Sequence, residues 1–335
     1  MAISGQHEGD GRQSCLSTPT PPRPPLLPPP LSINRLLALH PRERLLVHPL
    51  RWTDRQPALL GCRIYSHFDD ARSAAADENT EPASPKSERL AGLLAKRLNG
   101  QLDPERLGDT VTQLLAPLDA RRILLQMNWP VRFHFNRRSH ACIRVCYASV
   151  SMWGPAPDTF TLACLDFNET MLERELKFSP PENLRHMDWV GLRRSYTLVK
   201  LHTPKDPQKD PFLVALVIAL AQNDRRHAAQ PLPPDSTFTI RILFTGKGRP
   251  KPINLYVAHV QASFLDKLDF PNQEPTVGSG LDIDHWHIPA EPFQTLPQRV
   301  CQALRPDGYG KTHVRNLEES SGKTGKKRKM DVASD

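Results

Sequence analysis

Aspartate and histidine, residue types that bind metal ions, are concentrated in the segment 282–287. In an extended chain, alternate side chains share a face, so Asp282 and Asp284 would lie on one face and His285 and His287 on the other. All four could close on one ion only if the chain bends there. We therefore expect this segment to form a turn that enters the last helix, and the sequence predicts neither a metal ion nor any other cofactor.

The cysteines also have a spacing that invites a metal or a disulfide. Six cysteines in 335 residues do not make a disulfide scaffold. Cys142 and Cys146 are four residues apart in a segment that has the pattern of a strand, where they would lie about 13 Å from each other. That separation is too large for a disulfide or for one zinc ion. Together with Cys164, they are predicted to be small apolar core residues.

A second set of polar residues combines carboxylates with a lysine. Asp158 and Asp166 stand at the two ends of a nearly continuous apolar run, and Glu175 and Lys177 follow in an acid-x-Lys pattern. If residues 159–178 form a hairpin, Asp166 and Glu175 end up about 13 Å apart along the strand. Carboxylates that share one cation must approach it within a few Å, so this geometry argues against a shared ion.

A different local structure would change those distances. Thr170 and Glu173 have the spacing of a capping box, which favours a helix over residues 170–178. In addition, the order of helix, strands, helix and strand resembles the core of the PD-(D/E)xK nuclease superfamily. The resemblance implies a metal-dependent nuclease, or an inactive relative, in which a divalent ion is held by the candidates Asp158, Asp166, Glu175 and Lys177.

A run of four cations lies near the end of the chain, at Lys326, Lys327, Arg328 and Lys329. The acidic groove of a nuclear-import receptor recognises such a run in an extended chain. The alternative is a tail that only interacts with solvent. We expect the run to bind an import receptor and the protein to be nuclear or nucleo-cytoplasmic.

The first thirty residues are polar and then rich in proline, with ten residues from Pro21 to Pro30 that include seven prolines. Successive prolines fix φ and remove hydrogen-bond donors, so residues 1–30 are predicted to be disordered or polyproline II. Pro25 and Pro28 have the P-x-x-P spacing that SH3-type domains recognise. The segment is therefore either a ligand for a protein partner or a spacer.

The chain is basic, with a formal net charge of +8 and a pI of about 9.3. Arginines are dispersed along it, but one basic cluster stands out, formed by Arg132, His134, Arg137 and Arg138. Such a cluster suits contact with nucleic acid phosphates. The pattern more strongly favours an exposed sheet edge that charge protects from further pairing.

Apolar periodicity predicts one α+β domain over residues 31–304, with a mixed sheet packed by several helices. Asp210 and Pro211 are typical of a helix start, and the apolar run after them predicts a buried central helix over about 210–224. That run is about half as long as a membrane span, so we expect no contact with a membrane. A solvated loop is predicted over 69–86 and a disordered basic tail over 305–335.

The other predicted elements follow the same patterns. Helices are expected at 33–39, 87–98, 103–116, 262–268 and 292–304, strands at 44–48, 60–65, 131–135, 141–151, 159–167, 195–202, 237–244 and 253–260, and a helix or a strand at 122–126.

Three segments resemble uncharacterised predicted proteins of filamentous fungi: residues 51–57, residues 142–146 and residues 210–222. The resemblance extends over about residues 32–300 and implies no activity, cofactor or site. The sequence contains no Walker A loop and no G-x-G-x-x-G or G-x-S-x-G motif. We therefore predict a non-enzymatic nuclear interaction protein, with the metal-dependent nuclease as the alternative.

Overall fold

A computed structural model describes residues 31–67, 111, 114–115, 118, 120–152, 159–179, 189–228, 233, 235–247, 252–275 and 280–305. The predictions for residues 1–30, 69–86 and 306–335, for the helix at 87–98 and for most of the helix at 103–116 lie outside these residues. None of the described helices combines the length and the apolar character that a membrane-spanning helix needs.

One mixed sheet gathers the described strands. These are β1 (Cys62–His67), β2 (Ala120–Phe135), β3 (Arg138–Met152), β4 (Thr159–Asp166), β5 (Thr237–Thr245), β6 (Ile253–Gln261) and β7 (Leu281–Ile288). Their order is β1-β7-β6-β5-β4-β3-β2. The pairs β1–β7 and β4–β5 are parallel, and the other neighbours are antiparallel. The predicted α+β class is confirmed.

The long hairpin of β2 and β3 turns at Asn136 and Arg137, whose φ values are 48° and 61°. Two consecutive residues with positive φ make a turn whose twist matches that of the two strands. The predicted elements at 122–126 and 131–135 merge into the single strand β2, which is interrupted by irregularities in its register with β3.

Helices cover both faces of the sheet. They are α1 (Ile33–Leu39), α2 (Arg55–Leu60), α3 (Phe167–Phe178), α4 (Trp189–His202), α5 (Pro211–His227), α6 (Ala262–Asp269) and α7 (Leu296–Ala303). Alternate residues of the strands point to opposite faces. Ile242 and Phe244 accordingly belong to a core that includes α5, whereas Leu243 belongs to a second core that includes Leu296 and Val300 of α7.

Helix α5 is the centre of the larger core, as predicted. Asp210 accepts a hydrogen bond from the Phe212 backbone N–H at 2.9 Å, and Pro211 occupies the first helical position. Every residue from Pro211 to Gln222 is buried. The helix therefore has no solvent-facing stripe until its last turns, which agrees with its nearly continuous apolar sequence.

The prediction of a strand at 195–202 is wrong, because these residues form the second half of α4. Tyr196, Thr197 and Val199 favour strands locally. The partly buried residues Leu192, Leu198 and Val199, together with the buried Ser195, instead recur at helical spacing. Contact with α3 favours the helix over the local preference: the rings of Phe178 and His202 lie 4.8 Å apart.

Three further predictions are corrected. Residues 45–47 form a bend rather than a strand, and the His48 side chain accepts from the Leu50 N–H to cap a short 3-10 helix, Pro49–Arg51. The segment 282–287 is part of strand β7 and not a turn, because it pairs with both β1 and β6. The predicted last helix, 292–304, is split into a 3-10 turn, Phe293–Thr295, and α7.

Candidate functional site

The structure places Asp166 at the start of α3 and not in a hairpin. Its carboxylate accepts from the backbone N–H groups of Asn168 at 2.8 Å and Glu169 at 3.4 Å. Its second oxygen accepts from the Thr245 hydroxyl at 2.5 Å, and the residue is buried. These bonds satisfy the first N–H groups of the helix, which is the ordinary role of an N-cap aspartate.

Glu175 and Lys177 lie on the exposed part of α3. Since a helix rises about 1.5 Å per residue, Glu175 is about 13 Å along the axis from Asp166. The structure therefore has the helix that the capping-box spacing indicated and not the hairpin, but this helix does not bring the two carboxylates together. Asp158 lies outside the described residues. Within the described ranges, no group of three or more His, Cys, Asp or Glu residues is placed to hold a metal ion.

In the segment 282–287, His285 belongs to a polar network on the α5 side of the sheet. His285 is 1% exposed, and its Nδ1 lies 3.1 Å from the Ser66 Oγ on β1. Its Nε2 lies 3.0 Å from the Asn254 Oδ1 on β6, and its ring stacks on Tyr256 with centroids 4.7 Å apart. Burial lowers the pKa of His285 to about 4, so the ring is neutral at pH 7.

The aspartates of that segment face the other side of the sheet. The Asp284 carboxylate lies 2.8 Å from Nε2 of His67, and the His67 ring stacks on Trp286 at 4.9 Å. The expectation that aspartates and histidines in an extended segment point to opposite faces therefore holds. Sequence reasoning missed Ser66, Asn254 and His67, since they come from strands far away in the chain.

Two of the three cysteines predicted for the core are buried. Cys146 and Cys164 are opposite each other in the register of β3 and β4. Cys142 is exposed, which corrects the prediction. It lies on the same face of β3 as Cys146, but near the hairpin end, where Arg132 on the neighbouring strand is exposed as well.

The basic cluster at the β2–β3 hairpin does not form one surface. Arg132 and Arg138 are exposed, whereas His134 is buried and contacts Arg226 of α5. The Arg137 guanidinium lies over the Phe270 ring, 4.2 Å from its centroid. Because β2 is the last strand of the described sheet, this arrangement favours the interpretation as a protected edge.

Helix α4 carries the most exposed large apolar side chains of the described residues. Trp189 is 82%, Val190 80%, Tyr196 73% and Leu201 69% exposed. At about 100° per residue, these four side chains fall within one half of the helix. The same half carries Arg193, Arg194 and Lys200. We call these seven residues the α4 surface.

The opposite half of α4 attaches the helix to the protein. Ser195 is buried, and His202 packs against Phe178 of α3. Next to the end of the helix, the Thr203 hydroxyl lies 3.9 Å from the Met171 sulfur. Helix α4 itself contains no acidic residue, so its outward half is both apolar and positively charged.

Comparison with models of known protein families gives no match, and the search of curated proteins gives none either.

Proposed function

We propose that the chain is a nuclear interaction protein that binds an acidic, apolar segment of a partner protein through the α4 surface. The observation that carries the proposal is the exposure of Trp189, Val190, Tyr196 and Leu201 beside three cations on one half of a helix.

Single exposed apolar residues are common and need no explanation. Trp189 and Val190 are adjacent, and Tyr196 and Leu201 lie on the same half of the helix, so these side chains form a patch rather than scattered exceptions. Aromatic residues and arginine are also the types that contribute most to binding at protein interfaces. The composition of the patch therefore fits a docking surface.

The charges specify the kind of partner. Arg193, Arg194 and Lys200 would attract carboxylates that flank apolar side chains on an opposing helix. An anionic bilayer or a nucleic acid would meet the same cations, but α3 packs on α4 and exposes Glu173 and Glu175. The phosphates of a bilayer or a nucleic acid would lie near these carboxylates and be repelled by them. A peptide is narrow enough to contact α4 alone, so the charges favour a peptide.

The nuclear part of the proposal rests on Lys326, Lys327, Arg328 and Lys329, which have the composition of an import signal. The proline-rich segment, residues 1–30, offers a second site for a protein partner. Among the described residues, nothing favours the nuclease alternative, because Asp166 caps α3 and Glu175 and Lys177 lie farther along that helix.

The test is fluorescence anisotropy with a labelled amphipathic peptide of about twelve residues that contains Glu, Leu and Phe and no basic residue. We expect saturable binding to the full chain and binding at least about tenfold weaker to the Arg193→Glu/Arg194→Glu variant. The matched control is Arg122→Glu/Arg138→Glu, which reverses two exposed arginines on β2 and β3.

Equal weakening by both double variants would show that only the net charge matters and would overturn the proposed surface. Binding of anionic vesicles or of duplex DNA in preference to the peptide would overturn the choice of partner. The full chain's failure to bind any acidic amphipathic peptide would also count against the proposal.

A further inference from the structure

We propose that Ser66, His285 and Asn254 form a nucleophilic relay in which Ser66 attacks the carbonyl carbon of a carboxylic ester. The Ser66 Oγ lies 3.1 Å from Nδ1 of His285, and Nε2 of His285 lies 3.0 Å from Oδ1 of Asn254. In serine acyl-transfer sites, the nucleophile is hydrogen-bonded to a base, and a third group orients that base. This role is separate from the binding role of α4.

The direction of each hydrogen bond follows from Asn254. Its Nδ2 donates to the carbonyl oxygen of Phe244 at 3.3 Å, so its Oδ1 is the atom that faces His285. An amide oxygen only accepts, and therefore Nε2 of His285 must carry the ring proton. Nδ1 is then an acceptor, and the Ser66 hydroxyl donates to it. This is the tautomer in which the imidazole can take the proton of the nucleophile.

The base is held in place from several sides. Its ring lies nearly parallel to the ring of Tyr256, at 17°, and the Tyr256 hydroxyl donates to the Gln208 carbonyl at 2.9 Å. Ser66 and His285 are register partners on the parallel strands β1 and β7. Backbone pairing therefore sets the distance between nucleophile and base. Ser66 itself is half-buried, whereas His285 is fully buried.

The backbone N–H of Ser66 is directed away from β7. The Leu281 N–H donates to the carbonyl of Gly61, and in a parallel ladder alternate residues bond to the neighbouring strand. The backbone N–H and C=O groups of Gly61 and of every second residue after it are directed at β7. Ser66 is not one of these residues, so its N–H points away from β7. This N–H belongs to the nucleophilic residue. In known acyl-transfer sites, the backbone N–H of the nucleophilic serine donates a hydrogen bond to the oxyanion.

In the first step, the Ser66 oxygen bonds to the ester carbonyl carbon while its proton passes to Nδ1 of His285. The bond to the alkoxy group then breaks, and Nδ1 returns the proton to the leaving oxygen, which departs as an alcohol. Water attacks the acyl-serine, loses a proton to Nδ1 and releases the carboxylic acid as Ser66 regains its proton. No redox partner is needed.

Burial keeps the His285 base neutral over a wide pH range by lowering its pKa to about 4. Four nearby ionisable groups also act on this pKa: His287, His67 and Lys209 lower it, and Asp206 raises it. We therefore expect the reactivity of Ser66 to persist at pH 5.5, where a histidine of ordinary pKa would be mostly protonated.

The test uses the full chain and a fluorescent alkyl fluorophosphonate, which forms an oxygen–phosphorus bond to serine as fluoride leaves. We expect labelling that mass spectrometry maps to Ser66, that disappears in Ser66→Ala, and that slows about 100-fold or more in His285→Gln. Ser263→Ala is the control, because this half-buried serine contacts Gln261 and not a histidine. It should leave labelling unchanged.

The mapping needs no variant, so a His285 variant that fails to fold does not affect the result. Absence of labelling in the folded wild-type chain, or labelling that maps to another residue, would overturn the relay and leave the three residues as a structural network. Arg193→Glu/Arg194→Glu should label normally, which separates this inference from the binding proposal.

Discussion

Arg174 and Asp210 form an ion pair in which the side chains are 0% and 2% exposed. One guanidinium nitrogen lies within 3.0 Å of both carboxylate oxygens, and Nε donates to the Leu50 carbonyl at 3.1 Å. The pair joins the inward side of α3 to the cap of α5. It therefore fixes which side of α3 faces solvent and how α4, which packs on α3, is presented.

Arg174→Leu should lower the free energy of unfolding by about 3–5 kcal/mol, because it leaves the Asp210 carboxylate buried without its cation. Chemical denaturation measures this change. Lys177→Leu, on the exposed side of the same helix, should change it by no more than about 0.5 kcal/mol. Similar losses in both variants would show that the ion pair is not what holds α3 in place.

Adding Asp210→Asn to Arg174→Leu should recover part of that loss. Asparagine removes the buried charge and still caps α5 through its side-chain oxygen. A double variant less stable than Arg174→Leu alone would contradict this account of the loss.

Gln222 bonds to both backbone groups of one residue in β2. Its Oε1 accepts from the His134 N–H at 2.8 Å, and its Nε2 donates to the His134 carbonyl at 2.9 Å. Because Gln222 is buried, Gln222→Ala leaves a buried N–H and C=O without these partners and should cost about 1–3 kcal/mol.

Hydrogen exchange of the His134 amide measures the local effect and should become faster than in the wild type. Asn223→Ala, one residue farther along α5, is the control and should leave that amide protected. Unchanged exchange of this amide in Gln222→Ala would mean that the hydrogen bond from Gln222 does not protect the His134 N–H.

The Asp224 carboxylate lies in a half-buried position where it accepts from the Thr161 hydroxyl at 2.7 Å. Burial raises its pKa from 3.8 to about 6, against the effect of that hydrogen bond. The folded chain thus holds a proton that the unfolded chain has lost between pH 4 and 6, and the ionised carboxylate destabilises the fold above this range.

Asp224→Asn should therefore raise the free energy of unfolding by about 1–3 kcal/mol at pH 8 and by much less at pH 4. Denaturation curves at several pH values test this, with the exposed Asp235→Asn as the control. A gain of equal size at both pH values would show that the carboxylate is not the cause.

Local sequence predicted the elements whose pattern is unambiguous. Asp210 and Pro211 followed by an apolar run determine α5, and the apolar run from Thr159 leads to the buried strand β4. Helix α4 was missed because Tyr196 and Thr197 favour a strand locally, whereas the contacts with α3 that favour the helix come from a separate segment of the chain.

The candidate sites depend still more on distant contacts. Ser66 and His285 are 219 residues apart, and Asn254 and His285 are 31 apart. Only the parallel pairing of β1 with β7 brings Ser66 to the histidine. The sequence signalled His285 through its neighbouring aspartates, but those side chains point to the other face of the sheet.

Nuclear import through the basic run is expected to be separable from the fold. Replacing Lys326, Lys327, Arg328 and Lys329 with alanine should move a fluorescent fusion from the nucleus to the cytoplasm, because the import receptor loses the cations it reads. Quantitative imaging of living cells measures the ratio. The control replaces Lys311 and Arg315, two cations elsewhere in the same tail, and should not change it.

Unchanged nuclear accumulation after the replacement of all four cations would remove the basic run from the account of localisation.

The most direct test of the α4 surface is the environment of Trp189 during peptide binding. Trp189 is 82% exposed, and its emission is obtained as the difference between the wild type and Trp189→Phe. When the acidic amphipathic peptide binds, we expect this emission to move to shorter wavelength and to become less accessible to acrylamide. If the peptide binds while the spectrum and quenching of Trp189 remain those of the free protein, the binding site lies elsewhere and the central claim is wrong.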